Sequence, residues 1–579
     1  MGQSAVRGSD SPTGILISQF FGSLFETDLF SIRERLGTLI AGILSLLAAF
    51  GLVVPIVFNH KYYLLNALPT GSVYQEAALA DKLMFISFSF VVNILVTSLQ
   101  WQSLFPSVQD CLILCPLPLR RRQIFGAKFV ALLLFMALLN IGINTFPAIM
   151  MPGIVMSGRW QRPLGSSLHF WSFFFSCSFA GLFAFFALVT LQAVLINVVP
   201  GRWLAKFSLI VQASLLLLSI SILPLLFWVP SLHGYLHSQW HSGALGVPPA
   251  WFLGWEEEML GIADPAGHAL ALRGKLALGL AILGSFASYA ITYFRSSQHL
   301  IPAGSRHGNS IWHRLSSDAL HCSVVDIREM AVISFVIKTL LRSRIHKILL
   351  CAIVGLGVSL SFDSFSSLWI AHFIYGQAIR RPAFEGAMLS TPLVVSFFML
   401  CGLRFIFLLP IENGANWIFR ISAVSNNQYV VSATEKTLLL LSLPPILLVT
   451  FVGFSVQLGL GPAFIRTAFV LAMGLILSEG LLWNWDRVPF ACPYLPGRHN
   501  LIQTLLLYAI ALSCFAYNAS IVEMQALVSL PRSLLLISIL LVTFLYMRIH
   551  RQQVSSQGIL LKFDDLPEPE VQTLQLQPH

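Results

Sequence analysis

Five residues within one short polar break have the types and spacing to act together. Asp110, Arg120, Arg121, Arg122 and Lys128 lie in residues 106–129, between two long apolar runs, with Pro116 and Pro118 among them. Three adjacent arginines in that setting hold the loop on the cytoplasmic side of a membrane and can contact anionic lipid. The prolines and the lone acid make the break a folded elbow rather than a slack link. Three other sets carry ionisable groups. His233, His237 and His241 recur at every fourth residue, a spacing at which imidazoles on one helix face can bind zinc. No acidic ligand lies near them in sequence and no HExxH occurs, so they read as an interfacial polar face. Glu256-Glu257-Glu258 could attract a cationic substrate but reads as an exposed acidic turn. Arg404 and Glu479 stand inside apolar runs, where charges are costly; they either snorkel to the inner surface or form an intramembrane charge pair.

Other chemistry is missing from the sequence. There is no GxxxxGK[ST] phosphate loop; the string from Gly267 to Lys275 has the wrong glycine spacing. Cys111 and Cys115 have no nearby histidine to complete a zinc site. No Ser/His/Asp or Cys/His constellation can be placed.

The elements that must position these residues are membrane helices. The chain has 579 residues, 56% hydrophobic and 10% charged, against about a quarter charged in an ordinary soluble domain. Apolar runs of about 20 residues recur, each long enough to cross a bilayer. The net charge of +10 is spread over short loops, as the positive-inside bias requires, and implies no nucleic-acid partner. The expected fold is an all-α polytopic membrane protein with about 12 transmembrane helices. The predicted spans are 37–58, 83–105, 127–151, 168–199, 206–228 and 273–294, then 347–366, 388–411, 437–459, 463–483, 501–521 and 531–548. Residues 14–30 and 330–346 read as interfacial elbow helices, the first with polar pairs Ser18/Gln19 and Gly22/Ser23 on one wet face. Residues 59–82 read as an outer loop, and 230–272 as the longest one, with room for a re-entrant hairpin. A second inner elbow is expected at 412–436. Residues 1–294 form a first transmembrane half, 295–329 a cytoplasmic linker, 330–548 a second half, and 549–579 a disordered cytoplasmic tail. Both termini lie inside.

Three markers recur in order, roughly 300 residues apart. Arg33-Glu34-Arg35 and Arg342-Ser343-Arg344 precede the first and seventh spans; Lys128 and Lys436 open the third and ninth; Pro200-Gly201-Arg202 and Pro496-Gly497-Arg498 precede the fifth and eleventh. Their shared order reads as a 6+6 duplication with a pseudo-twofold axis along the membrane normal.

The interfacial helix, the two spans and the elbow with Asp110, Leu117-Pro118-Leu119, Arg120–Arg122 and Gly126-Ala127-Lys128, followed by four more spans, resemble the ABC type-2 export permease superfamily. Asn416-Trp417-Ile418-Phe419-Arg420 and Pro493-Tyr494-Leu495-Pro496-Gly497 are similar to segments of large bacterial members with two fused six-span halves. The resemblance implies a permease subunit of an ATP-binding-cassette exporter in a plasma (bacterial inner) membrane. It implies an elbow that docks a separate ATPase, formed by Asp110, Arg120, Arg121, Arg122 and Lys128. A second elbow would comprise Asn416, Trp417, Arg420 and Lys436. ATP and magnesium would sit on the partner, and no cofactor on this chain. The competing readings are an ion-coupled secondary transporter, for which Glu479 is the only candidate acid the sequence offers, and a membrane enzyme acting on lipid-linked substrates.

Overall fold

A computed structural model describes residues 12–24, 36–67, 71–105, 110, 113–114, 116–117, 120–156, 165–241, 246–299, 326–373, 381–409, 428–483, 485–491, 507–508, 510–526 and 529–556. These residues are helical almost throughout, with no strand among them. Ten helices are long and apolar enough to cross a membrane. Helices suit that solvent because each backbone N–H and C=O is satisfied within its own segment. The chain forms two compact units, residues 1–306 with 366–378, and residues 307–365 with 379–579.

The first unit contains α1 (Pro12–Ser23), α2 (Leu36–Asn66), α3 (Ser72–Leu99), α4 (Arg121–Met156), α5 (Ser166–Val198), α6 (Gly201–Leu225), α7 (His233–His241), α8 (Pro248–Met259) and α9 (Pro265–His299). α3 is its axis, packed against α5, α6, α7 and α8. Polar residues bond between helices along this axis. Asn93 of α3 and Asn140 of α4 exchange amide hydrogen bonds of 3.3 and 3.2 Å, and Asn144 donates to Ser178 of α5 at 3.3 Å. Gly181 of α5 makes room for them, since a Cβ there would stand 2.4 Å from the Asn93 amide and 2.5 Å from the Asn140 oxygen. At the far end of α3, fully buried Trp101 donates to Ser208, while its carbonyl accepts from Gln192. Gln212 donates to the Ser98 carbonyl. Such bonds are worth roughly 1 kcal/mol each in a bilayer.

Two expectations change in this unit. Residues 59–82 are not an extended loop, because α2 runs to Asn66 and α3 begins at Ser72. Within 230–272, where the sequence left room for a hairpin, the described residues are mostly helical. They hold α7 and then a helical hairpin, α8–α9, that turns at Gly261 (φ +67°). The hairpin closes on small residues: a Cβ on Gly254 would lie 2.7 Å from the Gly267 carbonyl oxygen. Ala250, Phe252, Leu253 and Glu256 of α8 are buried.

The second unit contains α10 (Ile327–Arg342), α11 (Arg344–Phe373), α12 (Arg381–Phe407), α13 (Gln428–Leu458), α14 (Leu460–Leu481), a π-turn (Ser513–Asn518), α15 (Ala519–Ala526) and α16 (Leu530–Ser556). α12, α13 and α14 pack on one another, α10 lies on α13, α16 on α14, and the π-turn with α15 on α12. Val332, Ile333, Val336 and Leu340 give α10 one buried face. α10 is capped by Asp326, whose side chain accepts from the Arg328 N–H at 2.9 Å. α16 outlasts its predicted span and continues to Ser556, so the tail expected from residue 549 begins as helix.

Candidate functional site

The first elbow is built by an amphipathic helix on a basic helix start. In α1, Leu16 and Phe20 fall one turn apart and are buried with Leu114, Ile124, Ala127 and Ala131, while Ser18, Gln19 and Gly22 are exposed. Of the expected segment 14–30, the described part is helical, within Pro12–Ser23; residues 25–35 lie outside the described ones. Arg121 and Arg122 are not in a loop: they occupy the first turn of α4, with Arg120 just before it. The Arg120 N–H donates to Gln123 Oε1 at 2.9 Å, and the Gln123 N–H returns a bond to the Arg120 carbonyl. Arg120 and Arg122 are exposed, and so are Ile113, Pro116 and Leu117. Lys128 is buried two turns deeper. Its Nζ stands 4.7 Å from the centre of the Phe20 ring and 4.0 Å from Asp110 Oδ2.

Of the four residues named for the second elbow only Lys436 is described, and its contact is ionic. Asn416, Trp417 and Arg420 lie outside the described residues. Lys436 does not open its helix but stands two turns into α13, where its Nζ donates to Glu329 of α10 at 2.8 Å. Ser432, one turn earlier, donates to the other oxygen of the same carboxylate. Next to this pair, Arg551 of α16 reaches two acids. Its Nε donates to Glu479 Oε2 of α14 at 2.6 Å, and its Nη2 to Glu479 Oε1 at 3.2 Å and to Glu435 of α13. Arg548 Nη2 lies 3.6 Å from the second Glu435 oxygen. Glu435, Glu479 and Arg551 are all buried. A cavity of about 650 Å³ opens beside them, lined by Arg328, Glu329, Tyr429, Ser432, Glu435 and Arg548.

The predicted pairing of Arg404 with Glu479 is replaced. Glu479 is held by Arg551, and Arg404 Nη1 donates to the Tyr508 hydroxyl at 2.9 Å. The physical reason is reach: α16 lies along α14 and delivers a guanidinium from its last turns, a position that the sequence assigned to a disordered tail.

At the opposite end of α3 the first unit holds charges that the sequence placed in loops. Asp81 is fully buried and accepts from Lys61 at 2.8 and 2.9 Å and from the Tyr62 hydroxyl at 2.8 Å. Lys82 donates to buried Glu256 at 2.6 Å, and Lys275 lies 2.6 Å from Glu258. Glu256–Glu258 therefore form part of a helix, not an exposed acidic turn. Burial on α8 pushes the Glu257 carboxyl up to about 8, despite nearby Lys82. His233, His237 and His241 do share one short helix, and His237 faces Glu76 at 4.0 Å. No group of three or more His, Cys, Asp or Glu among the described residues could hold a metal ion. The missed acids Asp81 and Glu523 were legible only as single letters. What places them inside the protein is helix continuation and packing. No family model matches this chain, and neither does any curated protein or any solved structure.

Proposed function

We propose that the chain is the membrane-spanning permease subunit of an ATP-binding-cassette exporter, driven by a separate ATPase at the cytoplasmic face. The observation that carries this is the elbow arrangement, present once in each unit. An amphipathic helix lies on the start of a long apolar helix, α1 on α4 and α10 on α13. In both, a lysine two turns into the long helix touches the amphipathic one, Lys128 at Phe20 and Lys436 at Glu329. That recurrence supports two six-span halves within one chain. On this reading the ten long apolar helices are joined as crossings by α2 and the segment through the π-turn and α15, for twelve in all. Both termini are then cytoplasmic and the membrane is the plasma membrane. Exposed Ile113, Pro116 and Leu117 beside exposed Arg120 and Arg122 make a compact surface, apolar and basic together, suited to docking the ATPase. ATP and magnesium belong to that partner, and this chain itself hydrolyses nothing.

The test is recovery of tagged protein from its host in mild detergent, with the eluate assayed for ATPase activity and for a partner bearing phosphate-loop motifs. We expect such a partner, and its loss when Arg120, Arg121 and Arg122 become Ala in protein that still inserts. Well-folded protein with no partner and no ATPase overturns the proposal. A second reading, an ion-coupled transporter, is favoured by one observation: buried Glu523 of α15 has neither carboxylate oxygen hydrogen-bonded among the described residues.

A further inference from the structure

One cavity of the second unit gathers more hydrogen-bonding capacity than its own side chains use. Glu329 of α10 accepts from Ser432 and Lys436 of α13, and Glu435 of α13 accepts from Arg551 of α16. Three helices are thereby tied around the cavity of about 650 Å³. Arg328 and Arg548 line it too. The Arg328 guanidinium has no hydrogen bond or ion pair among the described residues; only its backbone N–H is used, by one oxygen of Asp326. Arg548 is held loosely, 3.6 Å from Glu435 and 5.7 Å from the centre of the Phe544 ring. The Tyr429 hydroxyl, on the same lining, has no hydrogen bond among the described residues, and neither has the second oxygen of Asp326. In charge the cluster is balanced. Asp326, Glu329, Glu435 and Glu479 face Arg328, Lys436, Arg548 and Arg551. A ligand carrying both signs keeps that balance, whereas a plain anion does not.

The surroundings say what kind of ligand reaches the cavity. On α16, Leu541, Leu545, Arg548 and Gln552 are spaced at three and four residues and share one face. Leu541 and Leu545 are exposed, and Arg548 and Gln552 line the cavity, so this stripe turns from apolar to polar within one helical turn. Exposed Trp483 and Tyr546 flank the same end of α16, with Trp483 stacked on His550 at 5.2 Å between ring centres. Aromatic side chains of that kind collect where a membrane meets water.

We propose that this cavity holds the headgroup of a zwitterionic aminophospholipid. Arg328 and Arg548 take the phosphodiester oxygens, with the Tyr429 hydroxyl as a further donor, and Asp326 takes the primary ammonium. An acyl chain lies along Leu545 and Leu541. Guanidinium groups suit the phosphate because their paired N–H donors match two of its oxygens. The bound lipid bridges α10 to α16, adding to the links each makes with α13. The site rests on the membrane character of the chain and is independent of an ATPase partner.

Native mass spectrometry of the delipidated full chain tests this, with dioleoyl-phosphatidylethanolamine, -phosphatidylglycerol or -phosphatidylcholine added in turn. Phosphatidylethanolamine should be retained about tenfold more tightly than the other two, which lack the primary ammonium. Arg328→Gln and Arg548→Gln should each weaken that retention about tenfold. Asp326→Asn, which keeps a capping side chain on α10, should erase the preference over phosphatidylglycerol. Arg532→Gln, an exposed position at the opposite end of α16, should change nothing. Asp326 and Arg328 are exposed and Arg548 is half-buried, so these variants leave the fold intact, and the ranking of lipids by the wild type needs no variant. Soluble glycerophosphoethanolamine separates a lipid from a free ligand of the same chemistry, and should bind far more weakly for want of an acyl chain. Equal binding of the two overturns a lipid as the source. Equal or reversed retention of the three lipids by the wild type, or a preference that survives in Arg328→Gln and Arg548→Gln, overturns the headgroup site. A preference untouched by Asp326→Asn overturns Asp326 as the partner of the ammonium.

Discussion

The two elbows place a lysine at the same depth and hold it in different ways. In the first, Lys128 lies over the Phe20 ring, its nearest carboxylate is 4.0 Å away, and the contact is otherwise apolar. In the second, Lys436 is bound at 2.8 Å by a carboxylate carried on the amphipathic helix itself, beside a polar cavity and a buried Glu–Arg–Glu cluster. An apolar seat is insensitive to salt and leaves its outer arginines available at the surface. An ionic seat depends on each partner being present, and most steeply where the charges are buried, as in the Glu–Arg–Glu cluster. The first elbow is therefore suited to be a rigid lever, and the second a latch.

The largest expected effect breaks the latch. Arg551→Ala removes the hydrogen-bonding partner of buried Glu479 and leaves buried Glu435 only Arg548 at 3.6 Å, and should cost about 3–5 kcal/mol, read as lowered thermal stability of the purified protein; a loss under about 1 kcal/mol would remove the cluster from the comparison. Phe20→Ala empties the apolar seat of the first elbow and should cost roughly 3 kcal/mol. In the same variant Lys128 loses its ring, so proteolytic cleavage near α1 should quicken. Lys436→Met has a smaller effect, about 1 kcal/mol, because its side chain is 38% exposed. Its cost should shrink as salt is raised, whereas that of Phe20→Ala should not. Equal salt dependence in the two variants would erase the distinction. The smallest effect serves as a control at a residue that belongs to neither elbow. The raised Glu257 carboxyl means that the folded state binds a proton more tightly than the unfolded one, so its contribution falls as pH rises from about 4.5 towards about 8. Glu257→Gln should flatten that slope and stabilise the protein on the order of 1 kcal/mol near neutral pH, leaving the salt response of both elbows unchanged.

Local periodicity carried most of what the sequence revealed. The polar pairs of α1, the apolar face of α10 and the runs that became α4, α5, α13 and α14 announce themselves within one helix. Ends of helices were misplaced wherever polar residues continue a helix beyond its apolar run. Residues 72–82 of α3, Pro248–Met259 and 549–556 all read as loop or tail because they carry charge. In the fold those charges are neutralised by partners far away in sequence: Lys82 by Glu256, Arg551 by Glu435 and Glu479. Arg404 and Glu479 show the same limit. Each reads as an expensive charge in an apolar run, yet its partner is a Tyr508 or an Arg551 that no spacing rule could select.

The order of synthesis gives the Arg551 cluster a further meaning. Glu435 and Glu479 emerge from the ribosome well before Arg551, which is carried near the end of the last described helix. Until α16 packs on α14, the second unit holds two acids without their shared cation. Such a half-finished unit is poorly closed and open to quality-control proteases. The last described helix then acts as a checkpoint of assembly, bringing the cation that Glu435 and Glu479 share.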